Sequence, residues 1–250
     1  MRKSYGFLLL TLISTFAGAV PAAAQSYPKW TVYGGLAHAL QKPNSGTYIV
    51  SEGGESFSFQ PCAADSAEIL GAHLQNALCS RRDFHGIDAS MKYNVARTWG
   101  IRTDVSALYD KSRAVDTFGT GADAHTDTNV IMDRTILAVT GIEVGDNAAT
   151  RWRPFAHAMV GLARQRSIDT QTSTGPFDFQ LRDSVTSFAM KVGGGIDLPI
   201  MNRVAVRLVE VDYTPVFAKS RHVPGNADFD QRVKGKTAQN VTFSFGIVVH

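Results

Sequence analysis

Apolar and polar residues alternate one by one along much of this chain, and that pattern limits its fold more than any other feature. Between Trp99 and Tyr109 the odd-numbered positions are apolar or threonine, whereas the even-numbered positions include Arg102 and Asp104. Successive side chains of a β-strand point to opposite faces, so the pattern predicts a strand with one apolar and one polar face. Eight segments share it, at 30–38, 86–95, 99–109, 131–144, 152–163, 187–198, 203–215 and 240–249.

The seventh segment departs from strict alternation. The apolar residues up to Leu208 share one face, and Glu210 and Asp212 would follow them onto it if the register stayed unchanged. One extra residue in the strand returns both carboxylates to the polar face. We therefore expect a β-bulge near Leu208–Val209.

The connections between the predicted strands alternate in length. Those at 39–84, 110–130, 164–184 and 216–236 are long, and those at 96–98, 145–151 and 199–202 are short. Outer-membrane barrels place long loops outside the cell and short turns in the periplasm. The sequence thus predicts an all-β fold, an eight-stranded antiparallel up-and-down transmembrane β-barrel with long extracellular loops and short periplasmic turns.

The tryptophans agree with this topology. Trp30, Trp99 and Trp152 all begin odd-numbered predicted strands, at the end assigned to the periplasm. The ten steps from Trp99 to Tyr109 cover about 33 Å along a strand. A tilt of about 40° reduces this to about 25 Å, the height of the apolar band of such barrels. We expect the three tryptophans to form a periplasmic aromatic girdle.

The composition of the polar face of the strands distinguishes a membrane barrel from a soluble barrel. A membrane barrel turns it towards the lumen, whereas a soluble lipocalin-like barrel turns it towards water. Here the polar positions mix both signs of charge with glycine and serine, which suits a narrow lumen filled with ion pairs. The predicted lumen charge network consists of Asp88, Lys92, Arg102, Asp104, Glu143, Lys191, Asp197, Arg207, Glu210 and Asp212.

The first residues predict export. Arg2 and Lys3 precede an apolar run from Phe7 to Val20, and small residues at 22–24 form a cleavage site. This is the pattern of a signal peptide, expected over 1–24, which leaves 25–250 as one barrel domain. No later apolar run approaches the roughly 18 residues that a membrane-spanning helix needs.

Cys62 and Cys79 are the two cysteines of the chain. Export to an oxidising compartment favours a disulfide between them, ahead of free thiols or a metal site. Between them Ala67, Leu70, Leu74 and Leu78 have helical spacing, which predicts a short stapled helix in the first outer loop.

Several stretches resemble a known family, the small eight-stranded outer-membrane barrels of the OmpA-like and opacity-like porin superfamily. They are 153–161, 188–197, 204–213 and 240–248. The order and spacing of the predicted strands resemble this family over the whole mature chain, whereas the amino-acid sequence itself is similar only in these stretches. It implies a bacterial outer-membrane location. Barrels of this family usually end on an outward aromatic residue, whereas this sequence ends on Val249 and His250, and alternation points His250 into the lumen.

No motif of an enzyme, a phosphate-binding loop or an ordered metal cluster is present, so we predict no catalytic site, no cofactor and no metal. Gly193–Gly195 lies within a strand pattern and indicates close backbone approach. His157 is expected to be a hydrogen-bonded lumen residue. The net charge of +3 includes Arg2 and Lys3 of the signal peptide, so the mature chain gives no argument for nucleic acid.

Basic residues gather near the outer ends of the strands, where lipopolysaccharide phosphates would meet them. Arg164 and Arg166 are the candidates for such contacts, and a solvated loop base is the alternative. The expected partners are outer-membrane lipid and lipopolysaccharide, and a surface ligand through the first loop, with the protein a monomer.

The sequence thus favours a non-enzymatic outer-membrane barrel with a structural or surface-interaction role and a lumen plugged by side chains. A narrow-pore porin and a soluble lipocalin-like carrier of a small apolar ligand are the alternatives, and an outer-membrane acyltransferase is a more remote one.

Overall fold

The structure is a computed structural model that describes residues 27–42, 47–52, 55–121, 124–149, 151–174, 179–224, 229–233, 235 and 237–250. The predicted signal peptide at 1–24 lies outside these residues. The strands are β1 (Trp30–Lys42), β2 (Tyr48–Glu52), β3 (Glu55–Phe59), β4 (Arg82–Asn94), β5 (Trp99–Phe118), β6 (His125–Gly145), β7 (Arg153–Ser173), β8 (Phe179–Met201), β9 (Val204–Phe217), β10 (Arg221–Pro224), β11 (Phe229–Val233) and β12 (Thr237–Val249). The helices are α1 (Ala67–Leu70) and α2 (Ala72–Cys79), after a 3-10 turn at Ala64–Ser66.

Eight of these strands form a closed barrel in the order β1-β12-β9-β8-β7-β6-β5-β4. Every neighbouring pair is antiparallel, and the pairing of β1 with β12 closes the ring. Closure leaves the barrel without an open sheet edge, so backbone donors and acceptors are satisfied between strands. The predicted fold class is confirmed.

Alternation along each strand sorts the side chains as predicted. In β5, Arg102 and Asp104 are fully buried in the lumen, whereas Ile101 and Val105 are about half exposed on the outer wall. The outer wall between the levels of Trp99 and Tyr109 is thus largely apolar, and most charged residues at this height lie inside. Among the described residues, no helix is both long and apolar enough to cross a membrane.

The bulge in β9 is confirmed. Asp197 pairs with Arg207 and Ile196 pairs with Val209, so Leu208 is the extra residue relative to β8. Leu208 and Val209 both face outward, at 45% and 40% exposure, and Glu210 returns to the lumen. Burying a carboxylate in lipid would cost far more than a local disruption of one ladder.

Two of the predicted outer loops are largely strand. β5 and β6 continue past Tyr109 and pair from Asp110 opposite Asp133 to Phe118 opposite His125. β7 and β8 extend in the same way, from Arg164 opposite Thr186 to Gln171 opposite Phe179. Beyond the apolar band the outward face of β5 carries polar side chains such as Lys111 and Arg113, so the sequence loses its alternation while the backbone ladder persists.

The other two outer connections meet above the barrel. β2 and β3 come from the first and β10 and β11 from the last, and they form a four-stranded sheet in the order β10-β11-β2-β3. At the opposite end, the connections at 95–98, 146–152 and 202–203 are short, as predicted.

The predicted stapled helix is present, but it is broken in two. The disulfide between Cys62 and Cys79 is confirmed, with 5.6 Å between the Cα atoms. Gly71, at a φ of +85°, separates α1 from α2, a backbone conformation that glycine adopts easily. We call residues 62–79 the cap.

The cap packs against the inner face of the extended β5–β6 hairpin. Leu74 contacts Ala114 and Ile131, and all three side chains are buried. Asp116 accepts hydrogen bonds from the backbone N–H groups of His73 and Leu74, both at 2.9 Å. A carboxylate at the first turn of α2 also suits the helix dipole. Strand β5 therefore fixes the cap over the extracellular mouth.

Asp116 lies seven residues beyond Tyr109, outside the predicted membrane band. Burial by itself would raise the pKa of Asp116, but the two backbone hydrogen bonds and a third from the His73 ring outweigh it and lower the pKa. The folded form thus binds a proton less readily than the unfolded form, and Asp116 stabilises the docked cap at pH values above its ordinary pKa of 3.8.

We predict that Asp116→Asn weakens docking of the cap by about 1 kcal/mol at neutral pH, because a neutral amide caps α2 less well. Hydrogen exchange at the His73 and Leu74 amides would show this as faster opening. In the wild type, protection should fall as the pH drops below 3.8 through the lowered pKa. Glu68→Gln, on the exposed face of α1, is the matched control. Equal protection in wild type and Asp116→Asn would contradict this account.

Candidate functional site

The lumen holds all ten charged residues predicted for it, each no more than 6% exposed. They project from β4, β5, β6, β8 and β9, because every second residue of these strands faces inward. Charges buried this deeply must be paired and hydrogen-bonded to be tolerated.

Arg102 is the centre of the network. Its guanidinium lies 2.8 Å from a Glu210 oxygen and 2.8 Å from an Asp104 oxygen. A third contact of 2.9 Å joins it to Glu143, whose other oxygen binds Lys92 Nζ at 2.8 Å. One side chain from β5 thereby connects carboxylates on β6 and β9 across the barrel.

Lys191 forms a second centre of the network. Its Nζ lies 2.9 Å from an oxygen of Asp104 and 2.9 Å from one of Asp212, with Asp88 at 3.6 Å. Gly193 is the residue opposite Asp212 in β8. A Cβ at Gly193 would collide with the Asp212 carboxylate, so the close approach expected of these glycines is confirmed here.

Arg207 is held from four directions. It makes two parallel hydrogen bonds to Asp197, at 2.8 and 3.0 Å, and a third of 2.5 Å to Glu210. The rings of Tyr33 and Phe155 lie on its faces, each with its centroid 4.2 Å from the guanidinium carbon. Stacking of this kind stabilises a desolvated guanidinium. Neither ring was among the predicted lumen residues, although alternation in β1 and β7 places both inward.

His157 faces the lumen, as expected. Its Nε2 lies 2.9 Å from Asp212, and its Nδ1 lies 3.4 Å from an Arg102 nitrogen. Arg102 donates the hydrogen bond to Nδ1, because a guanidinium can only donate, and Nε2 lies against the Asp212 carboxylate. The histidine is thus a member of the ion-pair network.

Two groups of three lumen side chains bring potential metal ligand atoms within 4.8 Å of one another: His157, Glu210 and Asp212, and Asp88, Asp104 and Glu210. In both, Arg102 or Lys191 already lies among the carboxylates. Arg102 and Lys191 already neutralise these carboxylates, so both groups are parts of the ion-pair network.

An apolar layer closes the lumen on the extracellular side of the charges. Its largest cluster consists of Leu137, Val139, Met159, Ala163, Ala189, Val216 and Ala238. Beyond it, Arg82 binds Asp110 and Asp133, and the cap follows. Two cavities lined by described lumen residues hold about 20 Å³ at the periplasmic mouth and about 10 Å³ below the apolar layer. Each has room for about one water molecule.

His250 points into the periplasmic mouth, as alternation predicts. Its ring contacts Thr31 Oγ1 at 3.2 Å and accepts a hydrogen bond of 2.7 Å from Arg153. The end of β12 is thus tied to β1 and β7.

The outer wall carries the remaining predicted residues. Trp30, Trp99 and Trp152 are 51%, 37% and 56% exposed at the periplasmic end, and Trp30 packs on Tyr93 with 4.8 Å between ring centroids. Arg164 and Arg166 are exposed near the other end, on the outward face of β7.

An apolar outer wall around an ionic lumen defines the class of this protein. It is a transmembrane β-barrel, because such a wall requires lipid and such a lumen cannot hold an apolar ligand. The soluble lipocalin-like alternative requires the opposite orientation of the faces and is excluded by it.

The barrel is similar to solved outer-membrane structures. They include the attachment invasion locus protein Ail of Yersinia pestis, crystallised with the heparin analogue sucrose octasulfate (9% identity, TM-score 0.38, 88% of this chain and 99% of that chain). Neisserial surface protein A matches at 13% identity (TM-score 0.38, coverage 90% and 99%), and the outer membrane protease OmpT of Escherichia coli at 11% (TM-score 0.49, coverage 90% and 98%). The sequence matches no family model and no curated protein. The class assignment therefore rests on the geometry of this chain.

We predict that Arg102→Gln lowers the free energy of unfolding by about 3–5 kcal/mol, because three buried carboxylates lose their shared cation. Denaturant unfolding in detergent micelles measures this. The matched control is Arg97→Gln, which breaks the exposed turn pair with Asp146 and should change stability little. An equally small effect of both substitutions would show that the network does not stabilise the barrel.

Proposed function

We propose that the protein is a non-enzymatic outer-membrane barrel with a structural or surface-interaction role and a closed lumen. The observation that carries this proposal is the filling of the lumen by three successive layers: the charge network, the apolar layer, and the Arg82 cluster beneath the cap. A barrel of eight strands encloses little more space than its own side chains occupy.

The proposal that the protein is not an enzyme is supported by the surroundings of its buried acid–base groups. His157 and Asp212 are paired with each other and are covered from both ends of the lumen. The cavities that described residues line beside them, of about 20 and about 10 Å³, each have room for about one water molecule, too little for a substrate. The fold by itself does not decide this point, since one barrel architecture hosts many functions.

The surface-interaction role would involve the cap. Its outer side presents Ile69, 72% exposed, beside Glu68 and His73. The disulfide and Asp116 hold this surface in one conformation, which lowers the entropy lost when a partner binds. Assays of binding to host-cell surfaces, compared between the wild type and Ile69→Ser, test this role of the cap. Equal binding by the two proteins would exclude it.

The alternative function is that of a narrow-pore porin. We predict that purified wild-type monomer in planar bilayers shows no stable, large conductance, because neither the ion pairs nor the apolar layer leave a continuous water path. A porin of known conductance serves as the positive control for insertion. A steady, large conductance from the wild-type monomer would contradict the closed lumen and favour the porin.

A further inference from the structure

A row of cationic and aromatic side chains crosses four adjacent strands on the outer wall. His85 on β4 is opposite Tyr109 on β5, Tyr109 is opposite Arg134 on β6, and Arg134 is opposite Arg166 on β7. All four side chains are exposed on the outward face, and Tyr109 is 48% exposed. Nothing in the lumen network uses them.

Arg134 and Arg166 form an unfavourable pair as they stand. Directly opposed residues on antiparallel strands have Cβ atoms about 4.5–5.5 Å apart, and like charges in such positions destabilise the sheet. Among the described residues, neither arginine forms an ion pair with a carboxylate, whereas Arg82, Arg97, Arg102 and Arg207 all do. An anion bound between the two guanidinium groups would remove the repulsion.

The row lines a groove of about 400 Å³ on the outer wall. Met132 and Ile168 border it on the extracellular side, and Ala107 borders it on the membrane side. Ala107 leaves space because its neighbours across the strands, Ile87 and Ile136, are larger. The groove therefore combines two free arginines and a phenol with an apolar rim, which suits an amphipathic anion.

The level of the groove specifies which anion reaches it. Tyr109 marks the outer end of the apolar band that begins at Trp99, about 25 Å away along the membrane normal. On the membrane side of the row, the outer wall is apolar at Ile136 and Leu162. On the outward face of β7, Arg164 lies between Leu162 and Arg166 and is opposite Ile136. Lipid phosphates lie at this boundary, and their acyl chains continue along the apolar wall.

We propose that the groove between Tyr109, Arg134 and Arg166 binds a phosphate group of a phosphorylated glycolipid in the outer leaflet. Arg134 and Arg166 donate hydrogen bonds to the phosphate oxygens, and the Tyr109 hydroxyl donates a further one. Arg164 lies two residues nearer the band and meets the glycolipid below the first phosphate. This inference depends on the membrane placement of the proposed function and assigns that surface a lipid.

The experiment is native mass spectrometry of the detergent-purified, full-length mature protein, titrated with diphosphoryl lipid A. We expect one tightly bound lipid on the wild type and at least a tenfold weaker affinity for Arg134→Gln/Arg166→Gln. The matched control is Arg97→Gln/Arg203→Gln, which removes the same charge at the exposed periplasmic turns and should bind as the wild type does. Inorganic phosphate at millimolar concentration should not displace the lipid.

Equal weakening in both double variants would show that net charge alone attracts the lipid, and that result overturns the site. Undiminished binding by Arg134→Gln/Arg166→Gln, or displacement by inorganic phosphate, also overturns it. Heat-modifiable gel mobility reports folding of each variant separately. A folded, closed and membrane-inserted barrel that fails to bind lipid A would refute the groove and leave the proposed function intact, whereas failure to insert would refute the proposed function.

Discussion

The contacts between Arg102 and three carboxylates support the rest of this structure. A lipid-facing wall favours burial of the strands' charges in the lumen, where ten of them lie, and the lumen is too narrow to hydrate them. Burial of so many charges is favourable only when each is compensated, and Arg102 compensates Asp104, Glu143 and Glu210 together. Because these carboxylates come from different strands, their pairing also fixes how the strands are staggered around the ring.

The bulge in β9 follows from the same constraint. Without the extra residue at Leu208, either the Arg207–Asp197 pair or the Glu210 and Asp212 carboxylates would face lipid. The barrel therefore accepts a local break in one ladder, which keeps these charged residues inside. The ionic lumen, rather than the apolar wall, determines the detailed register of β8 and β9.

Much of the fold could be predicted because successive side chains of a strand always point to opposite faces. It assigns Asp88 and Lys191 to one face and Ile87 and Met190 to the other without any knowledge of neighbours, and the parity break at Glu210 reveals the bulge. The disulfide followed from the two cysteines and from the expected export of the chain. The strand extensions past Tyr109 were not predictable, because polar residues on both faces of β5 remove the pattern.

Contacts between residues far apart in the chain could not be predicted from the sequence either. Asp116 binds the first turn of α2, and Arg134 stands opposite Arg166, only because of the stagger that closure of the barrel imposes. The pairing of His157 with Asp212 and the stacking of Arg207 on Tyr33 have the same origin. Residue type and spacing showed which side chains enter the lumen, and the barrel determined which ones meet.

The central claim is that the apolar faces of the strands contact lipid. Single cysteines at Ala156, Ala158, Val160 and Leu162 of β7, in a Cys62→Ser/Cys79→Ser background, can be nitroxide-labelled and studied by electron paramagnetic resonance in lipid vesicles. If these faces contact lipid, the labels collide often with oxygen and rarely with a water-soluble nickel chelate at all four positions. High accessibility to the nickel chelate at these positions would place the outer wall in water and contradict the account.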